Sequence, residues 1–470
     1  MKKEFPIYVG NTAIKNLKTK EIKCSFDENL VGIINLAEAK HIESAIEKAS
    51  KIFQISKKMP TYERAKILKN IATEIENKSN NFSKILALEC AKNINFARAE
   101  VKRAIQTFTI ASEECKRIDG EYFNLDTTQK GKGKFALVKR FPIGPVLGIS
   151  PFNFPLNLVA HKMAPALAVG NPIIIKPSSL APISSLLLAE IVVKYVPDGM
   201  ISILPCAGKD IESAVRDARI KMVSFTGSPP VGWQLKKICG KKKICLELGG
   251  NSGLIIDKDC NIEIALEKAI IGSFAYVGQV CIHTQRIYVH KKNYDDFLSK
   301  FVEKAKNLKS GHPLDEKGFL NPMITEQEAI RAEEWTNDAV KKGAKILCGG
   351  KRNGANFSAT ILTKTTPKMK VECREVFAPI VTIKEFEDFN DVIKMVNNSD
   401  YGLQAGLFSN NMKNIFYAFE NLEVGGVVIN DTPTFRVDQM PYGGIKNSGF
   451  GREGVKYTMQ EMTEMKLLVL

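Results

Sequence analysis

Between residues 144 and 250 short apolar runs alternate with helical stretches, and this alternation limits the possible folds more than any other feature of the chain. The runs fall at 146–149, 172–175, 201–204, 222–225 and 244–248. Strand and helix alternating this regularly predict an α/β fold built on a parallel, doubly wound sheet, whose ligands sit at the carboxyl ends of the strands. A nucleotide is the natural occupant. The glycine fingerprint GxGxxG is absent after the first of these strands, so a dinucleotide would have to be held in another manner than the common one.

The flanking sequence reads in the same terms. From 37 to about 120 apolar residues recur at helical spacing, as in Ile42, Ala45, Ile46, Ala49, Ile52 and Phe53, and these are amphipathic covering helices. Residues 121–142 alternate around a Gly-Lys-Gly turn and predict an extended hairpin. A second α/β pattern occupies 251–445, with strands at 254–256, 287–289, 381–386 and 427–429. The tail ends in Leu467, Leu468, Val469 and Leu470, a hydrophobic strand that needs a partner. The hairpin can supply it, in the same or a neighbouring subunit.

Composition excludes several classes. With 470 residues, 44% of them hydrophobic, the chain can bury two or three cores and is not disordered. Its ten cysteines form no CxxC pair and its five histidines no zinc spacing, so no metal is expected and the thiols should be free, in a reducing compartment. The first residues lack the apolar core of a signal peptide and no window is long and apolar enough for a membrane span, which predicts a cytoplasmic protein with no membrane partner. The net charge of +16 comes from lysines spread among acids; the densest run, Lys241-Lys242-Lys243, is short. That is a solvated surface and not a nucleic-acid stripe, although the field would collect anionic substrates and cofactors.

Chemistry is concentrated in a few short motifs. Cys281, in Gly278-Gln279-Val280-Cys281, is presented at the end of a helical run; local geometry decides whether it is a reactive thiolate or packing. Asn153 follows the strand at 146–149, where its amide could face an oxyanion or simply make a turn. Lys176 stands at a strand end, suited to a ribose hydroxyl or a phosphate. Gly227 and Ser228 precede Pro229 and Pro230, a helix start that is either a phosphate site or an ordinary N-cap. Glu247 lies in an apolar strand end beside Gly249 and Gly250, and is a raised-pKa base or a paired structural acid.

In order, PFNFP, KPSS, FTGSxxVG, LELGG, GQxCxxxxR, Glu375-Val376-Phe377 and Pro441-Tyr442-Gly443-Gly444 resemble the aldehyde dehydrogenase superfamily over nearly the whole chain. The resemblance implies that Cys281 is the nucleophile, Asn153 the oxyanion donor and Glu247 the base that activates water on the thioester. It also implies an NAD(P) site formed by Ser150, Pro151, Phe152, Lys176, Ser179, Phe225, Gly227, Ser228, Val231, Leu248, Glu375 and Phe377. Relatives preferring NAD often carry a glutamate at the position of Ser179, where a carboxylate would repel a 2′-phosphate; Ser179 beside Lys176 therefore favours NADP. Departures from the family pattern are Phe152 for tryptophan, Gly253 for proline, and Ala378 and Cys206 for glycines.

The family's aldehyde tunnel would be lined by Arg103, Phe154, His161, Val280, Ile282 and Arg436. Two arginines and a histidine favour a small anionic or hydroxylated aldehyde. Arg103 paired with Glu100, and Arg436 with Asp438, would be the purely structural outcome. The closest branch is that of lactaldehyde, non-phosphorylating glyceraldehyde-3-phosphate and phosphonoacetaldehyde dehydrogenases. A related binding or structural protein, or a thioester hydrolase, is the alternative. The expected organisation is a cofactor domain (1–120 and 144–248), a catalytic domain carrying Cys281 (249–445), and a small β arm for oligomerisation (121–143 and 446–470), assembled as a homodimer or a homotetramer.

Overall fold

The computed structural model describes residues 4–470. Its first large sheet has five parallel strands in the spatial order Lys243–Glu247, Met222–Thr226, Val146–Ile149, Ile173–Lys176 and Ile201–Ile203. The strand that comes first in the chain is in the middle, so the winding reverses between Val146–Ile149 and Met222–Thr226. That reversal leaves a crevice at their carboxyl ends, where a doubly wound sheet binds its ligand.

Helices cover both faces, because the strands are apolar on both sides. One core joins Leu68, Ile71, Phe108 and Met163 to Ile175; the other joins Ile42 and Ile46 to Ile149, Ile174 and Val223. Each such side chain contributes roughly 1.5–3 kcal/mol by leaving water. The helix Asn157–Val169 is buried along its whole length and stops at Gly170, whose φ of 87° lets the chain turn left-handed. Buried all round, with Asn157, His161 and Lys162 each hydrogen-bonded inside the protein, it shows no amphipathic period.

Short strands absent from the sequence reading extend this sheet. Ile7–Val9 pairs antiparallel with Ile201–Ile203, and Thr12–Ile14 follows it. At the opposite edge Gly449–Phe450 pairs with Leu246 and Glu247. Runs this brief carry no periodicity, and only the neighbouring strand makes them strands.

The second sheet has parallel strands in the order Thr360–Thr363, Ile380–Phe386, Thr284–His290, Ser252–Ile256, Gln404–Phe408 and Gly426–Ile429, with Lys345–Cys348 antiparallel at one edge. The arm is a third sheet: Glu121–Asn124 and Phe135–Pro142 form the hairpin, and Thr463–Val469 pairs antiparallel with Phe135–Pro142 from Thr463↔Pro142 to Val469↔Ala136. The terminal strand thus finds its partner in its own chain. Of the tail expected in the arm, 446–462 lies elsewhere: Gly449–Phe450 is in the first sheet, and the helix Val455–Glu461 buries Val455 and Met459 in the first core. Among the described residues no helix is long and apolar enough to cross a membrane.

Candidate active site

Cys281 is delivered by a contorted loop. After the helix Ile262–Phe274, Tyr276, Val277 and Gly278 are all left-handed, with φ of 48°, 46° and 68°. Two non-glycine residues in that region, one of them β-branched, hold of order 1–3 kcal/mol of strain each, which the surroundings must hold in place. They do so with a buried Tyr276 whose hydroxyl donates to Cys90 O at 3.3 Å, and with Gln279, whose Oε1 accepts from Ile324 N–H at 3.0 Å. Gly278 has no alternative: a Cβ there would lie 2.3 Å from Ala378 O.

The loop ends in a cavity of about 730 Å³ that opens at the crevice of the first sheet. Cys281, Asn153 and Glu247 all line it. The Asn153 amide donates to Gln279 O at 3.0 Å, and its main-chain carbonyl accepts from Lys92 Nζ at 2.6 Å. Lys92 is itself buried, paired with Glu100 at 2.5 Å and set between the rings of Phe154 and Tyr276. Burial pushes the Cys281 thiol up to about 11, against the Tyr442 hydrogen bond and the positive charge of Arg436. Glu247 is fully enclosed and neither carboxyl oxygen has a hydrogen-bond partner within the protein. Burial and then the nearby Glu453 charge raise its carboxyl well above the ordinary range.

Toward the sheet the wall is backbone. Gly227 and Ser228 stand at the start of the helix Pro229–Ile238 and line the cavity with Pro151, Phe152 and Leu248. The Phe225 ring instead packs beneath Gly227 and Gly232, where added Cβ atoms would lie 2.6 Å and 3.3 Å from it. Glu375 accepts from Gly250 N–H at 3.0 Å, and burial lifts its carboxyl to about 7. Gly249 must be glycine, since a Cβ would be 2.2 Å from the Glu375 carboxylate. Phe377, at φ 46°, meets Phe152 edge to face at 5.9 Å.

Lys176 Nζ donates to Ser179 Oγ at 3.3 Å, and Lys20, from the strand Thr19–Lys23, donates to Ser179 O at 2.7 Å. Ser150, Lys176, Ser179 and Val231 do not line the cavity itself. Ser150 is buried with its hydroxyl unpartnered, while Val231 is 45% exposed on the helix beyond.

The far end of the cavity is charged. Arg436 pairs with Glu453 at 3.2 Å, Glu453 also accepts from the buried Lys162 at 2.8 Å, and the Arg436 guanidinium lies 3.7 Å from the Tyr442 ring centroid. These two cations hold the Glu453 carboxylate down at about 2 despite burial, so the proton of the Glu247–Glu453 pair resides on Glu247. Arg103 pairs with Asp438 at 2.7 Å. Neither pair of the purely structural alternative forms: Glu100 is taken by Lys92, Asp438 by Arg103, and Arg436 turns to Glu453.

Phe154, Val280 and Ile282 line the cavity, but His161 does not. It is fully buried with Nε2 2.7 Å from Asp438 Oδ1, behind the charged end. Burial lowers its pKa, so Asp438 holds a neutral ring. Lys20, Lys92, Lys162, Asp438, Tyr442 and Glu453 carried no functional reading in the sequence. Only Tyr442 had a signal, its place in the PYGG motif.

The aldehyde dehydrogenase family profile matches residues 13–468. The chain is 40% identical over 470 residues to 3-sulfolactaldehyde dehydrogenase of Priestia aryabhattai, covering 100% of this chain and 98% of that one. Its structure is similar, at a TM-score of 0.98 and 42% identity, to aldehyde dehydrogenase 21 from Physcomitrella patens in complex with the reaction product succinate, covering 100% of this chain and 98% of that chain. It is similar at a TM-score of 0.93 and 40% identity to glyceraldehyde-3-phosphate dehydrogenase GapN from Methanocaldococcus jannaschii complexed with NADP, covering 97% and 100%. Matches of this extent, on a chain whose motifs meet around one cavity, establish that the protein belongs to the aldehyde dehydrogenase family.

Proposed function

We propose that the enzyme oxidises a small anionic aldehyde to its carboxylate with NADP, through a Cys281 thiohemiacetal and thioester. The observation that carries this reading is that Cys281, Asn153 and Glu247 line one cavity at the crevice of the cofactor sheet. The Cys281 thiolate attacks the carbonyl carbon. The developing oxyanion takes the second amide hydrogen of Asn153, whose first is held by Gln279 O, so the donor is oriented before reaction. The apolar flanks, Val280 and Ile282, keep water from the sulfur.

Glu247, unpartnered and desolvated, is a stronger base than a solvated carboxylate once ionised, and it takes a proton from the water that attacks the thioester. The product leaves as a carboxylate and the thiolate returns.

The residues fit a nicotinamide dinucleotide. The Ser228 N–H at the helix start suits the pyrophosphate, since Gly227 N–H is taken by Glu247 O and Pro229 and Pro230 have none. Glu375, held on one oxygen by Gly250, offers the other to ribose hydroxyls. Lys176, Ser179 and Lys20 offer cations and a hydroxyl to a 2′-phosphate, and Ser179 itself brings no carboxylate to oppose it. Bound there, the dinucleotide supplies the acceptor of the hydride. NADP is the cofactor in the GapN relative.

The anionic substrate rests on the charge balance. Arg103, Arg436 and Lys162 pair with Asp438 and Glu453, and with His161 neutral and Glu247 protonated one positive charge is in excess, which the Cys281 thiolate, also facing Arg436, shares with an anionic substrate. Sulfolactaldehyde, glyceraldehyde 3-phosphate and the succinate product of the relatives are all anions. The test is a kcat/KM panel of sulfolactaldehyde, glyceraldehyde 3-phosphate, succinate semialdehyde, phosphonoacetaldehyde and lactaldehyde with each cofactor. An anionic aldehyde with NADP should lead by at least about tenfold, and Arg103→Gln should remove the lead, as losing a charge-assisted pair does. Lactaldehyde leading would replace this reading by the hydroxylated one; thioester hydrolysis without reduced-nicotinamide formation would replace it by the hydrolase. The free cysteines support a reducing, cytoplasmic setting. The exposed apolar side chains of the arm, Tyr122, Phe123, Leu137, Met465, Leu467 and Leu468, support a homodimer or a homotetramer.

A further inference from the structure

Tyr442 reaches the site from a segment that the steps above do not use. Its hydroxyl lies 3.0 Å from Cys281 Sγ. The ring packs with Ile282 and Leu403, and the Arg436 guanidinium stacks over it at 3.7 Å. The main chain is fixed as well: Tyr442 N–H donates to Glu453 O at 3.0 Å, and Glu453 N–H donates back at 2.7 Å. The hydroxyl therefore cannot leave the sulfur without breaking the stack, and the backbone bridge fixes the main chain that carries it.

With Cys281 as a thiol, either group can donate. Once the thiol is ionised the sulfur has only lone pairs, and the phenol O–H is the donor. Hydrogen bonds to an ionised acceptor are roughly twice as strong as neutral ones, so this contact strengthens as the thiolate forms. The cation over the ring withdraws electron density from the phenol and makes it a better donor. Glu375 and Glu247, which also face the sulfur, and burial itself act in the opposite direction. Tyr442 in turn faces Cys281, Arg436 and Glu247.

We propose that Tyr442 is a catalytic residue, whose hydroxyl donates to the Cys281 thiolate, holds the sulfur toward the cavity and releases it as the carbon–sulfur bond forms. This rests on the reading of Cys281 as the nucleophile, and the two can fail separately. Cys281→Ser retaining aldehyde oxidation would overturn the nucleophile. The role of Tyr442 is read without aldehyde or cofactor, from the pH dependence of Cys281 alkylation by iodoacetamide, followed by mass spectrometry of the peptide that carries it.

Tyr442→Phe keeps the ring beneath Arg436 and removes only the hydroxyl. Alkylation near pH 7.5 should slow about tenfold and the midpoint of the profile should rise by about one unit, the effect of losing a hydrogen bond to a charged group. An unchanged midpoint overturns the proposal. Replacement of Tyr442 by 3-fluorotyrosine, a more acidic phenol, adds an arm that does not depend on the stability of the phenylalanine variant: the midpoint should fall, and a midpoint that stays or rises overturns the proposal.

Discussion

The two ends of the cavity are built on different principles. The end proposed for the cofactor is made of main chain and of what the main chain excludes: the Ser228 N–H at a helix start, and Gly249 and Gly250 pressed against Glu375. The end proposed for the substrate is made of long side chains that pair with one another, Arg436 and Lys162 on Glu453, and Arg103 on Asp438. The first is broken by adding an atom, the second by removing a charge. The cofactor is a constant of such a family while the aldehyde differs among relatives, and rigid backbone serves the one as exchangeable side chains serve the other.

Removing Glu453 should give the largest effect. Glu453→Gln leaves Lys162 and Arg436 as uncompensated buried cations and should cost about 3–5 kcal/mol in denaturant unfolding, the usual effect of halving a buried pair. A loss under about 1 kcal/mol would mean that water reaches this end freely.

Acid titration sharpens the same point. The folded Glu453 carboxyl, at about 2, is below its ordinary value of 4.5, so its stabilisation is present above 4.5 and is lost as pH falls toward 2. Glu247 has the opposite sign: raised in the folded state, it withdraws stability as pH climbs above 4.5. Melting temperature against pH for Glu247→Gln should therefore keep the acid-side loss and lose the decline on the alkaline side. An alkaline decline identical to that of the parent would show that the proton is not on Glu247.

At the cofactor end, Gly249→Ala places a Cβ against the Glu375 carboxylate. NADP titrated against intrinsic fluorescence should bind about 1–3 kcal/mol more weakly, as overpacking a tight contact does, with global stability changed less than in Glu453→Gln. Unaltered affinity would show that Glu375 can move and that this end is not rigid.

The smallest effect belongs to Lys20, whose side chain is exposed. Lys20→Ala should weaken NADP by roughly 0.5–1 kcal/mol and leave NAD unaffected, in line with a solvent-screened pair. Equal loss for both cofactors would place Lys20 on the shared part of the dinucleotide.

Legibility follows the same division. Asn153, Glu247, Gly227 and Ser228 could be found because each follows or ends a strand in a motif of a few residues, and strand ends converge by the topology of the sheet; Cys281 and Glu375, which follow helices, could be found only by the resemblance of their motifs. His161 was misplaced for an instructive reason. A residue about two turns after Asn153 would share its face on an amphipathic helix, but Asn157–Val169 is buried all round, and the ring turns away to Asp438. Asp438 and Glu453 could not be assigned, since a carboxylate's partner is set by which elements pack together; Arg103 and Asp438 are 335 residues apart.

The arm shows the boundary as well. An apolar terminal strand and a hairpin were readable, but their pairing in one chain and the departure of Gly449–Phe450 to the first sheet were not. By itself the sequence determined the doubly wound sheet, the order of the motifs and the identity of the groups at its strand ends, because alternation and local turn chemistry act over a few residues. Only the tertiary structure decided which charges neutralise which, and that the phenol of Tyr442 sits on the sulfur of Cys281. Those are contacts between segments far apart in the chain, and their energies depend on burial that no local stretch encodes.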